Sequence, residues 1–318
     1  MNSPVANQRQ DQPPLPTNWK KWILGARPRT LPAAIAPVIV GTAVAAGASA
    51  GVLKGIQVWI VACALGVAVF VQIATNYAND YSDGKRGTDD PTARTGPPRL
   101  VGSGLATPSE VKRAMLICFA LTAICGLPLV IFVDWQLLFV GVAAIAAGWF
   151  YTGGNRPYGY AGFGEIFVFV FFGLVATMGS TFVQIKSLSW LSLGAGVAMG
   201  CLATALLVVN NLRDIPGDTV AGKTTLAVRL GDQKTRILYV LLLVTPVVMV
   251  PFLAGLSGRP LAVLALLAIV PARQPITQVL SGARGPALIP VLVRTGQVQI
   301  VYALLLSVGL WIGTSVGS

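Results

Sequence analysis

Histidine is missing from all 318 residues. Its absence removes Ser-His-Asp catalysis, His-ligated zinc or haem, and imidazole acid–base chemistry together. Charge is nearly as scarce: 11% of residues are Asp, Glu, Lys or Arg, where a soluble domain carries roughly 25%. The four cysteines, Cys63, Cys118, Cys125 and Cys201, fall inside apolar stretches with no Cys-x-x-Cys spacing. They offer neither a thiolate metal site nor a disulfide framework, and read as small buried hydrophobes. Chemistry in this chain must therefore use carboxylates, Tyr, Lys, Arg or a hard metal.

What the chain has is apolar length. Hydrophobic residues make up 54% of it, and the mean hydropathy is +0.72. Nine runs carry no charge: 30–53, 55–79, 114–133, 135–155, 166–185, 187–212, 237–258, 260–272 and 295–318. All but 260–272 reach 20 residues, enough to cross roughly 30 Å of hydrocarbon. The short run continues past Arg273 through Pro275, Ile276, Val279 and Leu280, so it spans with Arg273 snorkelling or lies in the interface. Basic residues accumulate on the cytoplasmic side of membranes. Nine spans with the N-terminus inside place 20 of 23 Lys and Arg there, leaving out Lys54, Lys186 and Arg259. The same topology puts every acid but Asp134 on that side. The expectation is an all-α polytopic membrane protein of nine transmembrane helices with its polar chemistry on the inner face. Residues 1–24, Pro-rich and polar, read as a disordered cytoplasmic tail, and 25–318 as one transmembrane domain.

Two acidic clusters close apolar runs on that face. From Asn76 to Asp90 the sequence reads N-Y-A-N-D-Y-S-D-G-K-R-G-T-D-D. If the helix persists, Asn76, Asp80 and Asp83 share one face and Asn79 aligns beside them; Gly84 and Gly87 then break it. From Asn210 to Asp218 the sequence reads N-N-L-R-D-I-P-G-D. Asn210 and Asp214 share a face, and Pro216 and Gly217 are expected to unwind the helix so that Asp218 sits on a turn. Carboxylates grouped beside hydrocarbon need a cation. Mg²⁺ suits them, because it takes a few carboxylates together with waters and phosphate oxygens. The neighbouring Lys85, Arg86, Arg99, Arg213 and Lys223 suit a diphosphate. Asp and Asn at helix ends also simply cap turns, but two such clusters on one membrane face favour a site.

A third constellation, Y-T-G-G-N-R-P-Y-G-Y-A-G-F-G-E, runs from Tyr151 to Glu165. Tyr151, Tyr158 and Tyr160 offer π faces to a cation, and Arg156 offers a fork for an anion. Tyr158 and Tyr160 read equally well as an interfacial aromatic belt. Before the first run, G-A-R-P-R-T-L-P (Gly25–Pro32) is an ordinary positive anchor or brings Arg27 or Arg29 to the anion.

These motifs, N-D-Y-S-D-G-K-R-G-T-D-D, N-N-L-R-D-I-P-G-D-T-V-A-G-K-T-T-L-A-V-R-L-G, Y-T-G-G-N-R-P-Y-G-Y and R-P-R-T-L, resemble those of the intramembrane aromatic prenyltransferases of the UbiA superfamily. Within it they look most like the 1,4-dihydroxy-2-naphthoate polyprenyltransferases of menaquinone synthesis, from about Gly25 to the C-terminus. The resemblance implies nine helices around a central cavity, a polyprenyl diphosphate whose chain enters from lipid, and an aromatic acceptor. It implies Mg²⁺ held by Asn76, Asp80 and Asp83 and by Asn210, Asp214 and Asp218, with Asn79 in the first motif. Asn155 and Arg156 stand where the superfamily often has Lys, so that position holds an anion but supplies no base.

The chemistry so implied neutralises a departing diphosphate with Mg²⁺ and Lys/Arg, with Tyr151 facing the allylic cation. Attack by the naphthoate ring and loss of CO₂ then give demethylmenaquinol without a strong base. Membrane lipid is a partner and nucleic acid is not. Homogentisate or 4-hydroxybenzoate are alternative acceptors. A cation-coupled transporter is the rival class, but its sites lie near the bilayer midplane, whereas both clusters here lie at helix ends beside basic loops.

Overall fold

The computed structural model describes residues 18–48, 55–87 and 98–312, and among these every regular element is a helix. α1 (Asn18–Ala26) falls within the stretch expected to be tail; residues 1–17 lie outside the described residues. α1 leads through a short 3-10 turn into α2 (Pro32–Ala48), and the arms Trp19–Thr30 and Pro32–Ala46 are bent by 53° to each other. Arg27, a non-glycine residue at φ 53, ends α1. The Trp22 ring of α1 packs edge-on against Tyr77 at 6.0 Å, while Trp19 and Ile23 remain exposed.

α3 (Val58–Arg86) and α4 (Pro108–Phe132) pack side by side. A reciprocal cap starts α4: the Thr107 backbone donates to Glu110 Oε2 at 2.7 Å, and the Glu110 backbone donates to Thr107 Oγ1 at 3.3 Å. α5 (Leu137–Phe150) rests on both. α6 (Gly164–Val168), a π-helical stretch (Phe169–Val175) and α7 (Ala176–Ile185) make one continuous span. α8 (Trp190–Val220) is the most buried span. Its small residues admit neighbouring backbones: a Cβ on Gly173 would lie 2.3 Å from Gly200 Cα. α9 (Leu226–Ser257), α10 (Ile269–Leu280) and α11 (Leu288–Ile312) complete the bundle. A 3-10 helix, Pro260–Ala268, leads into α10.

Each of the nine charge-free runs contains a helix among its described residues, but not all are full-length spans. Among the described residues seven helical segments are long and apolar enough to cross a membrane, or eight if the bent α1–α2 pair is one. The 260–280 segment is among the seven, with Arg273 exposed. α5 has 14 residues, or about 21 Å. Nine full spans is thus slightly high, because the 135–155 run includes the turns at Trp135–Gln136 and Tyr151–Gly154.

Prolines 37, 128, 216, 246, 251 and 275 all lie inside helices. A membrane helix tolerates them because an open chain end in hydrocarbon costs more than one lost hydrogen bond. Buried apolar side chains form one large cluster across α2, α8, α9, the 260–280 segment and α11, and a second across α1, α3, α4 and residues 100–106. A cavity of about 1560 Å³ is lined from both sides.

Candidate active site

α3 carries the first cluster because it stays helical past its apolar portion and ends only at Gly87, φ 71. Asn76, Asn79, Asp80 and Asp83 are consequently all buried on it. Gly84 does not break the helix, contrary to expectation. A Cβ there would lie 2.4 Å from Val101 Cβ, so its role is close approach: it lets residues 98–106 lie against α3. From that segment the Leu100 and Val101 backbone N–H groups donate to the Asp80 carboxylate at 2.9 and 3.0 Å. The Asn76 amide nitrogen donates to the Ala26 carbonyl at 2.9 Å and to Thr30 Oγ1 at 3.3 Å. Asn79 accepts from Thr152 Oγ1 at 2.8 Å.

Asp83 gathers the most partners. Arg99 approaches it at 3.4 Å and Lys223 at 3.3 Å, with Asp83 and Arg99 buried and Lys223 half-buried. The Tyr160 hydroxyl donates to its other oxygen, and Lys223 also lies 4.6 Å over the Tyr160 ring. One carboxylate thus ties α3 to the 98–106 segment, the Tyr151–Phe163 loop and the α8–α9 turn.

The second cluster differs from the sequence expectation. α8 runs through Pro216 and Gly217 to Val220, so Asp218 lies one helical turn beyond Asp214, not on a loop. Arg213 forks onto Asp214 with bonds of 2.8 and 2.6 Å and reaches Asn210 Oδ1 at 2.9 Å. The adjacent cation therefore already offsets this carboxylate before any ligand binds.

Tyr151 is half-buried at the end of α5, edge-on to Tyr158 at 5.5 Å. Tyr158 stacks on Phe167 at 3.9 Å, and its hydroxyl donates to the Ala147 carbonyl at 2.8 Å. Burial first, then the charge of Glu165, the neighbouring Tyr158, and the charges of Asp218 and Asp83, push the Tyr151 hydroxyl well above its ordinary range. Burial does the same for Tyr158. Both phenols stay neutral at physiological pH, and Tyr151 feels both acidic clusters.

Among the candidate residues named from the sequence and described, all but Lys85, Arg86, Asn155 and Arg156 line this cavity. Lys85 is exposed because two residues beyond Asp83 is about 200° around a helix. Arg156 is exposed just past the Gly154–Asn155 turn. Arg86 instead staples the end of α3 to the loop by donating to the Thr152 and Gly154 carbonyls. Asp89 and Asp90 lie outside the described residues. Sequence reasoning missed Thr30, whose hydroxyl accepts from Gln72 at 3.0 Å, Thr152, and the Glu165–Asn211 pair, and it gave Tyr160 only a π face; none of these contacts has a spacing signature.

Oxygen is the donor type the two clusters offer. Among the described residues no three His, Cys, Asp or Glu side chains sit close enough to hold a metal by themselves. Paired carboxylates with amide oxygens fit a hard cation that completes its shell with water and substrate oxygens, and not a closed protein cage.

Residues 34–281 match the model of the UbiA prenyltransferase family. The chain belongs to this family. It is 49% identical over 287 residues to the 1,4-dihydroxy-2-naphthoate octaprenyltransferase of Mycobacterium tuberculosis, covering 90% of this chain and 95% of that protein. It is 42% identical over 221 residues to the Escherichia coli protein of the same name, covering 68% of this chain and 70% of that one. Among solved structures, a UbiA homolog from Archaeoglobus fulgidus bound to DMAPP and Mg²⁺ superposes with TM-score 0.63 at 16% identity, covering 93% of this chain and 99% of that one. The apo UbiA homolog from Aeropyrum pernix gives TM-score 0.65 at 13% identity, covering 86% and 97%. At such identities the likeness is one of fold: the UbiA bundle, with its multi-pass arrangement.

Proposed function

We propose that the chain transfers a polyprenyl group from polyprenyl diphosphate to 1,4-dihydroxy-2-naphthoate, releasing diphosphate and CO₂ and leaving demethylmenaquinol. The observation that carries this reading is that both acidic clusters and Tyr151 line one cavity together with the cations Arg27, Arg99 and Lys223, and that the wall formed by α5 and the π-helical stretch is apolar and aromatic. The family membership and the names of the closely similar bacterial proteins support the same reaction.

The chain's own residues divide the work. Asn76, Asp80 and Asp83 on α3 and Asn210, Asp214 and Asp218 on α8 would hold Mg²⁺ together with the diphosphate. Bound there, the ion supplies charge neutralisation to the departing diphosphate. Arg27, Arg99 and Lys223 bring positive charge to the same end of the cavity. Arg99 and Lys223 are already drawn to Asp83, so they are in place when an anion arrives. Arg213 fixes the Asp214 carboxylate from outside the reacting atoms.

Tyr151 presents a neutral ring beside the clusters, suited to a developing allylic cation in a space that sheds water. The prenyl tail lies along the apolar wall of α5 and the π-helical stretch. Val140 and Val142 of α5 line the cavity and are exposed at 42% and 58%, an apolar surface suited to the tail. The basic loops at the clusters' end support the reading that this chemistry lies at the inner face of the plasma membrane.

The test is an assay of purified protein in detergent with a polyprenyl diphosphate and a panel of aromatic acceptors, with and without Mg²⁺. Prenylated, decarboxylated naphthol and stoichiometric diphosphate that vanish with a chelator are expected. Turnover indifferent to chelation refutes the metal role. Product only with homogentisate or 4-hydroxybenzoate refutes the acceptor.

A further inference from the structure

One buried pair at the cavity wall has no part in the chemistry above. Glu165, at the start of α6, is 5% exposed. Asn211, on α8 beside the second acidic cluster, is 8% exposed and lines the cavity. Asn211 Nδ2 donates to Glu165 Oε1 at 2.9 Å. A carboxylate oxygen accepts hydrogen bonds, and the amide group of Asn has one donor end and one acceptor end. Glu165 therefore selects which end faces it. With one hydrogen of the amide nitrogen held by Glu165 and Asn211 lining the cavity, the carbonyl oxygen is the acceptor this side chain can offer to a ligand.

The place matters. A Cβ on Gly164, the neighbour of Glu165, would meet the Tyr151 ring at 3.1 Å and Leu207 at 3.5 Å. Leu207 is one helical turn before Asn211 on α8. The fixed carbonyl oxygen thus belongs to the corner where Tyr151 is expected to face the reacting carbon. A carbonyl oxygen there rewards a partner carrying an O–H and penalises one that presents only acceptors.

We propose that Asn211 Oδ1 accepts a hydrogen bond from a ring hydroxyl of the aromatic acceptor, and that Glu165 is the positioning residue that holds the Asn211 amide in that orientation. The inference rests on the prenyl-transfer reading of this cavity and adds to it a specificity rule. The site takes the electron-rich hydroxyarene, which is the nucleophilic form, and turns away the corresponding quinone, which has no hydroxyl to donate.

The experiment compares kcat/KM for a dihydroxynaphthoate with that for the analogue lacking one ring hydroxyl, in wild type, Asn211→Leu and Glu165→Leu. The ratio between analogues is then compared across variants, so that the intrinsic reactivity of each ring cancels. Loss of one hydrogen bond corresponds to about a tenfold change in that ratio. For at least one of the two hydroxyl positions, Asn211→Leu is expected to bring the discrimination down by about that factor, with the KM for the prenyl diphosphate unchanged. Glu165→Leu is expected to lower it as well, and Glu165→Gln to restore it in part, because a Gln carbonyl oxygen still accepts from Asn211. If Asn211→Leu fails to fold, Asn211→Ala reads the same ratio. An active enzyme whose discrimination at both positions survives these substitutions overturns the hydrogen bond while leaving the reaction standing. A wild type inactive on every hydroxylated acceptor overturns the reaction, and this inference with it.

Discussion

Asp80→Asn separates two roles that one carboxylate plays. Its oxygens accept the Leu100 and Val101 backbone N–H groups at 2.9 and 3.0 Å, and it also stands in the motif proposed to hold Mg²⁺. Asn keeps one carbonyl oxygen and turns an NH₂ toward the other N–H. One charge-assisted bond weakens to a neutral one, and the other becomes donor against donor. Hydrogen bonds to a charged group contribute about 1.5–3 kcal/mol each, and neutral ones about 1. The local cost is therefore about 2–5 kcal/mol, which raises the opening constant of the 98–101 segment by about 30- to 5,000-fold. Hydrogen exchange followed by mass spectrometry in detergent reads this directly as faster exchange across Leu100–Val101. Turnover should be abolished in the same variant. Asp214→Asn is the control: it should abolish turnover and leave the exchange of Leu100 and Val101 as in wild type, since Asp214 is bound to Arg213 and not to that segment. Unchanged exchange in Asp80→Asn refutes the structural role, and full activity at saturating Mg²⁺ refutes the metal role.

Other outcomes follow from packing. Gln299 is fully buried on α11, and neither end of its amide has a hydrogen-bond partner among the described residues; Gln299→Met, of similar shape, should raise the thermal midpoint, by an amount corresponding to about 1–3 kcal/mol. A Cβ on Gly41 would lie 2.2 Å from the Thr177 backbone oxygen, so Gly41→Ala must push α2 from α7 and should cost about 1–3 kcal/mol or more in a melting assay. Gly255→Ala, with nothing within 4 Å of the new methyl, should instead gain about 0.5–1 kcal/mol; equal effects at the two glycines refute the packing argument.

The acidic faces were legible in the sequence because helical periodicity turns spacing into direction. Asn76, Asp80 and Asp83 recur at four and three residues, and any helix through them aligns them. Their partners were not legible. Tyr160 and Lys223 meet Asp83 across separations of 77 and 140 residues, and the donors to Asp80 are backbone groups that carry no side-chain signature. Stop signals failed for a specific reason. Gly84 and Pro216–Gly217 end helices where water can take up freed backbone groups, but beside hydrocarbon and a packed neighbour the helix continues. Lys85 and Arg156 were misplaced by the opposite error, since proximity along the chain says nothing about which side of a helix or turn a residue occupies.

Composition and spacing alone determined that this chain is a multi-helix membrane protein, that it works without histidine, and that its polar groups gather at one end of its spans. Those properties are sums and periods along the chain, so the sequence contains them outright. Only the tertiary structure decided which oxygens share a cavity, which cations already attend Asp83 and Asp214, and that Asn211 pairs with Glu165. Such outcomes depend on the packing of elements far apart in sequence, where a shift of one ångström makes or breaks a hydrogen bond.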